Sequence, residues 1–144
     1  MKNKRAVCIV FILILSACGN LVTPPPPATP TVTPAPTSAV GPAEIVQAFW
    51  SALNNQDVDT ALSLASDDIQ VVGPKMQFTG KPALQVNIKH YFLPGTKYVI
   101  SDVVVVDDTV TYNWQVFVND VLQTSGTGES MIVKDGKIIK WNAT

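Results

Sequence analysis

The stretch Thr109-Val-Thr-Tyr-Asn-Trp-Gln-Val-Phe-Val118 alternates apolar and polar side chains along nearly its whole length. Val110, Tyr112, Trp114, Val116 and Val118 fall on one face, and Thr109, Thr111, Asn113 and Gln115 on the other. A period of two with one apolar and one polar face describes a strand in an antiparallel sheet. Before it, the short polar pair Asp107-Asp108 suits a hairpin turn, and Lys97 to Val106, rich in Val and Ile, supplies the preceding strand. After it, Asn119-Asp120 turns the chain into a longer strand from Val121 to Lys134, where Gly126 and Gly128 predict bulges and curvature. Asp135-Gly136 is the strongest hairpin signal in the chain, and Lys137 to Asn142 follows it as the last strand. The C-terminal half is therefore a meander of four strands.

Upstream, the period changes to that of helices. Ile45, Val46, Phe49, Trp50 and Leu53 stand at helical spacing between Ala43 and Asn54, with Pro42 suited to a first turn. Asp57 can cap a second, short helix running through Ala61, Leu62 and Leu64 to about Ser66. The β-branched run from Ile69 to Val72, stopped by Gly73-Pro74, reads as a short strand. A third helix is expected from Pro82 to about Phe92, with Leu84, Ile88 and Tyr91 on its apolar side and Pro94-Gly95 as its stop. Helices packed on a curved antiparallel sheet make an α+β layer arrangement over residues 43–144, near the commonest domain size.

The N-terminus carries a different message. Lys2, Lys4 and Arg5 precede an apolar run from Ala6 to Leu15, too short to span hydrocarbon comfortably, and Leu15-Ser16-Ala17-Cys18 follows. These four residues resemble the lipobox of bacterial lipoproteins. The resemblance implies removal of residues 1–17 and a diacylglyceryl thioether on Cys18, with Ser16 and Ala17 small enough for a narrow peptidase site. An ordinary cleaved signal is the alternative. Two or more acyl chains would give lasting membrane attachment. Gly19 after the cysteine leans toward an outer membrane or the outer face of the cell membrane. Residues 18–42 then form a lipidated linker, since the tract from Leu21 to Pro42 is mostly proline, threonine and alanine. It should be extended and semi-rigid, about 3.1 Å per residue, as a stalk; a proline-rich ligand is the rival reading, but basic and aromatic anchors are missing beside Pro24 to Pro27.

Cys8 leaves with the signal and Cys18 is taken by lipid, so the exported domain has no thiol for a disulfide, metal cluster or nucleophile. Loss of Lys2, Lys4 and Arg5 from ten basic residues leaves seven against eleven acidic ones, a net charge of −4. A mildly acidic chain without a basic cluster argues against a nucleic-acid partner. His90 is the single histidine, off the apolar stripe of its helix, which points to a surface or rim position and away from a zinc site. No cofactor is expected.

Phe49-Trp50-Ser51-Ala52-Leu53-Asn54-Asn55-Gln56-Asp57, Ala61-Leu62 with Asp67-Asp68, Gly80-Lys81-Pro82-Ala83-Leu84 and Asp135-Gly136-Lys137-Ile138-Ile139 carry, by their order and spacing, a second resemblance. It is to the nuclear transport factor 2-like superfamily, which includes ketosteroid isomerases, scytalone dehydratase and polyketide-cyclase-like proteins. The resemblance implies a cone-shaped curved sheet wrapping three helices, with a pocket open at the wide end. In the isomerases a tyrosine and a protonated aspartic acid stabilise an oxyanion while another aspartate moves a proton. The corresponding places fall here at Phe49, near Ser130, and at Gly73, so isomerase chemistry of that type loses its functional groups. Polyketide-cyclase-like relatives work with one carboxylate. Among the acids, Asp57, Asp59, Asp67, Asp68, Asp107, Asp108, Asp120 and Asp135 have cap or turn explanations, which leaves Asp102 and Glu129. Both read most simply as carboxylates on the wet face of the sheet; pointed into a dry pocket, either would become a tuned acid or base.

Phe49, Trp50, Tyr91, Tyr112 and Trp114, with Ser130, are the candidate pocket residues, although such aromatics would equally fill a core. Trp141 is a candidate for a dimer face. The leading expectation is a lipid-anchored binding module of the cell envelope that takes a small apolar ligand or an envelope protein. A structural, homodimerising envelope component and a single-carboxylate enzyme are the alternatives.

Overall fold

The computed structural model describes residues 40–144. The lipobox at Leu15, Ser16, Ala17 and Cys18 and most of the proline tract lie outside these residues. The elements run α1 (Pro42–Asn54), α2 (Val58–Leu64), β1 (Ala65–Val72), β2 (Gln77–Thr79), α3 (Lys81–Tyr91), β3 (Thr96–Val106), β4 (Thr109–Val118), β5 (Val121–Lys134) and β6 (Lys137–Asn142). The helices form for the reasons the sequence offers. Pro42 opens α1, whose stripe of Ile45, Val46, Phe49, Trp50 and Leu53 is buried. Asp57 caps α2 by accepting the Thr60 amide at 3.0 Å, and the Thr60 side chain together with that amide holds its carboxyl below the usual carboxylate range. Leu84 and Ile88 bury the inner side of α3, whereas Tyr91, at its last residue, is exposed.

Six strands form one sheet in the order β2-β1-β6-β5-β4-β3. The four-strand meander is antiparallel as expected, and β2 joins β1 antiparallel. One junction differs: β1 runs parallel to β6, with Val71 beside Trp141. β1 also begins earlier than its β-branched run, at Ala65 instead of Ile69, so Asp67 and Asp68 lie in a strand and not in a turn. There Asp67 makes a surface ion pair with Lys81, 2.8 Å away. β2 is a three-residue edge strand with no pattern of its own.

The turns use residues that tolerate left-handed backbone. Asn119 and Asp120 sit at φ 50° and 62°, and Asp135 and Gly136 at 50° and 72°, the backbone that hairpin turns need. Two irregularities bend the sheet along a single line. In β5, Thr127 and Gly128 together oppose Asn113; in β3, Asp102 and Val103 together oppose Tyr112. Gly128 has φ +75° and Asp102 φ +51°. An extra residue in one strand increases the local twist and kinks it, so the central strands curve around α1.

Asn54, the last residue of α1, ties that helix to the sheet. Its side-chain amide donates to the Tyr98 carbonyl at 2.8 Å and accepts the Tyr98 amide at 2.7 Å. The carboxamide thus occupies the place of a neighbouring strand along the unpaired edge of β3. Two part-buried hydrogen bonds of this kind contribute about 1–3 kcal/mol together. Replacing Asn54 with Ala should lower unfolding free energy by that amount in urea titrations, with Asn54→Gln failing to restore it because the longer side chain misses the register; an unchanged midpoint would show that the clamp carries no stability.

Candidate functional site

Curvature of the sheet leaves an open cavity of about 750 Å³ between it and the helices. Tyr98, Trp114, Val116, Glu129 and Trp141 line its sheet side, Phe92 and Tyr91 its helix side, and Thr124 to Thr127 its outer end along β5. The walls follow from strand alternation. Tyr98 stands across from Val116, and Met131, two positions along the same face from Glu129, stands across from Trp141.

Glu129 organises the inner end. It is 2 % exposed, the one charged residue buried in the described part of the chain. Its Oε1 accepts the Tyr112 hydroxyl at 2.8 Å and the Trp141 indole N–H at 2.9 Å, and its Oε2 accepts the Tyr98 hydroxyl at 2.9 Å. Three strands other than its own therefore supply the donors. Burial raises the Glu129 carboxyl above its ordinary range, and the three donors and the Thr144 backbone amide oppose that rise without cancelling it. Burial, with the Glu129 charge beside them, pushes the Tyr98 and Tyr112 phenols well above theirs. Both tyrosines accordingly keep their protons across the physiological range.

The aromatic groups pack around this network in order. Tyr98 is sandwiched, its ring stacked 3.8 Å from Trp50 at 5° and 5.6 Å from Trp114 at 21°. Trp50 and Phe49 meet edge to face at 5.3 Å and both approach Trp141 edge-on, so these two candidate pocket residues form the solid core behind the wall. Trp114 lies flat on Gly126, where a Cβ would come within 2.6 Å of the indole; only glycine permits that approach. Its Nε1 donates to the Thr144 hydroxyl at 3.1 Å.

The remaining candidates separate clearly. Tyr112 is 1 % exposed and acts beneath the cavity, on Glu129. Tyr91 stands at the rim. Ser130 points to the opposite face, where its hydroxyl accepts from Asn142 at 3.1 Å. Asp102 is exposed and accepts from Ser101 at 3.2 Å and Asn113 at 2.8 Å, fixing the β3 bulge away from the cavity. The reading of Glu129 as a solvent-facing carboxylate is corrected, because the two-against-one count at Gly128 sets Glu129 on the inner face. Trp141 is likewise 4 % exposed and bonded to Glu129, which removes it from a dimer face. His90 is exposed, edge-on to Tyr91, beside a separate hollow of about 440 Å³. Among the described residues no three His, Cys, Asp or Glu side chains gather as metal ligands. Sequence reasoning missed Tyr98; its alternation with Ile100, opposite Val116 and Trp114, was the available signal.

A carboxyl whose affinity for a proton is higher folded than unfolded contributes most below its unfolded value, 4.5 for glutamate, and that contribution is lost as pH rises through the folded value. Wild-type stability should therefore decline relative to Glu129→Gln as pH rises from about 4.5, the amide being unable to titrate. Urea unfolding of both proteins at several pH values measures the difference; a gap independent of pH would show that Glu129 is not raised.

Comparison with known proteins gives the family and the fold. The SnoaL-like domain profile matches residues 46–141. No curated protein matches the chain in sequence. Among solved structures, an NTF2-like protein of unknown function from Cytophaga hutchinsonii is similar with a TM-score of 0.62 at 16 % identity, over 74 % of this chain and 90 % of that one. A candidate ketosteroid isomerase from Kribbella flavida gives 0.61 at 14 %, over 70 % and 74 %. A candidate polyketide cyclase from Pseudomonas putida gives 0.55 at 17 %, over 72 % and 90 %. At such identities the structures share the fold, and their activities remain their own. With a profile match spanning most of the described domain and a bent six-stranded sheet of the same architecture, this chain belongs to the SnoaL-like family of NTF2-like domains.

Proposed function

We propose that this protein is a lipid-anchored module of the bacterial cell envelope that binds a small, largely apolar ligand in the cavity at Glu129. The observation that carries the reading is the way the Glu129 carboxylate is held. Tyr98, Tyr112 and Trp141 occupy three of its lone pairs, so the group is used to fix the aromatic walls in place. A cavity of about 750 Å³ has the size of a small-molecule site, and rigid aromatic walls with few polar groups fit an apolar body carrying one or two hydrogen-bonding atoms. The anchor rests on Leu15-Ser16-Ala17-Cys18 and on the proline tract that would raise the domain above the lipid surface.

A second reading, an enzyme acting through one carboxylate, is favoured by the same residue. Glu129 is buried, has a raised proton affinity and reaches the cavity wall, as a general acid requires. The two readings part at turnover. A panel of uncharged aromatic and alicyclic compounds should contain binders that raise Tm by about 5–10 °C at ten times their Kd. Recovery of the compound unchanged supports the binding module. Conversion that Glu129→Gln abolishes while binding persists moves the assignment to an enzyme, and a panel without any stabilising compound removes the ligand site.

The anchor has its own test. Cys18→Ser should leave the protein unprocessed or release it from membranes, and metabolic labelling with a fatty acid should mark the wild type alone. Unchanged membrane partition of a processed Cys18→Ser protein would refute lipidation.

A further inference from the structure

Hydrogen-bond arithmetic at Glu129 constrains what the cavity can recognise. Trp141 can only donate, and its indole N–H meets Oε1, which also accepts the Tyr112 hydroxyl; that oxygen is saturated with acceptor work. A proton on this carboxyl therefore belongs on Oε2. Besides Tyr112 and Trp141, the carboxyl meets the Tyr98 hydroxyl, 2.9 Å from Oε2, and the Thr144 backbone amide. A backbone amide can only donate, whereas a phenol can turn, so a proton on the Oε2 lone pair that faces Tyr98 makes Tyr98 accept from Glu129 and frees its own hydrogen to turn elsewhere. Tyr98 and Glu129 both line the cavity, whereas Tyr112 does not. Tyr98 is also prevented from moving as a ring, being stacked between Trp50 and Trp114 and clamped at its backbone by Asn54. Rotation of one hydrogen about the phenol C–O bond is the freedom left to it.

We propose that Glu129 and Tyr98 form a proton-controlled hydrogen-bonding unit: with Glu129 protonated, Tyr98 donates into the cavity to a ligand's carbonyl oxygen, and with Glu129 ionised, Tyr98 accepts from a ligand's hydroxyl. The inference rests on the cavity being a ligand site. It makes the preferred ligand class a function of pH, with uncharged carbonyl compounds held under acid conditions and released as Glu129 loses its proton. The groups able to influence that proton are few. β3 presents Tyr98, β4 presents Tyr112, the β1–β2 connection presents Lys75, and the end of α3 presents Tyr91; α1 and β6 present only the indoles of Trp50 and Trp141, and the residues after β6 present the Thr144 amide. Lys75 is exposed at the rim. Burial already raises the Glu129 carboxyl, which brings the switch toward neutral pH.

Two probes of similar size separate the states: acetophenone, which can only accept, and phenol, which donates. Equilibrium dialysis against the full chain in detergent, with protein-free micelles as the baseline for partition, gives their affinities at pH 5 and pH 8. The acetophenone-to-phenol affinity ratio should fall about fivefold from the lower to the higher pH, the scale of one hydrogen bond. Glu129→Gln should hold the ratio at its acid value throughout, because the amide N–H₂ donates to Tyr98 permanently. If both probes bind the wild type with a ratio independent of pH, the switch is overturned while the ligand site stands. If neither probe binds above the protein-free micelle baseline, the ligand-site reading fails together with it. Tyr98→Phe probes the same unit through the other partner and should make the ratio independent of pH, so the switch stays testable if Glu129→Gln fails to fold.

Discussion

A single carboxylate set among three donors governs this domain. Glu129 draws the Tyr98 hydroxyl from β3, the Tyr112 hydroxyl from β4 and the Trp141 indole from β6 to one point, so a residue on one strand fixes side chains on three others. Burying a charge without partners is prohibitive, and burying donors without an acceptor costs about 1–3 kcal/mol for each group left unmade. Neither half of the network is therefore tolerable alone. The aromatic walls inherit their positions from it, with Tyr98 stacked between Trp50 and Trp114 and Trp141 meeting both α1 aromatics edge-on. An apolar residue at 129 could fill the same volume, but it would leave two phenols and an indole without their acceptor.

Geometry of the sheet makes that convergence possible. The irregularities at Asp102-Val103 and Thr127-Gly128 flank Tyr112 and Asn113 on adjacent strands. They bend the sheet where Glu129 and Tyr112 pair, so that side chains on the inner face lean together instead of standing parallel. Asp102 shows how polar residues serve this end. Its short side chain tolerates φ +51° and accepts from Ser101 and Asn113, making it a support of the bend while its charge stays in water. Asn54 then secures the upper half of β3, matching backbone with carboxamide along an edge that would otherwise be open.

Much of the architecture was legible because periodicity and turn chemistry are local. The stripe on α1, the Asp57 cap, the alternation of β4 and the turns at Asn119-Asp120 and Asp135-Gly136 each declare themselves within a few residues. The parallel β1–β6 contact is not local, and nothing in either segment specifies its partner. Asp67 and Asp68 disfavour strands and hide the true start of β1, whose pairing at Ala65 and again from Gln70 carries the strand across them through a register shift. At the site, alternation placed Tyr112 and Trp114 on the inner face but could not rank them between wall and core. Glu129 was misplaced because its facing depends on a bulge whose position, at Gly128, shifts the alternation of β5 by one residue. Tyr98 was hidden in a strand dominated by valine.

The β1–β6 junction also determines when such a domain can become whole. A parallel neighbour joined through β2, α3 and the rest of the meander closes a loop that contains most of the described domain, and contacts of long separation are made slowly. β6 brings both Trp141 for the network and Val71's partner for the first strand, so the earlier segments have no finished arrangement to settle into before it arrives. For a polypeptide made amino end first, maturation is then an all-at-once event triggered by the final strand, and a product cut short before β6 would leave its inner valines and aromatic rings uncovered.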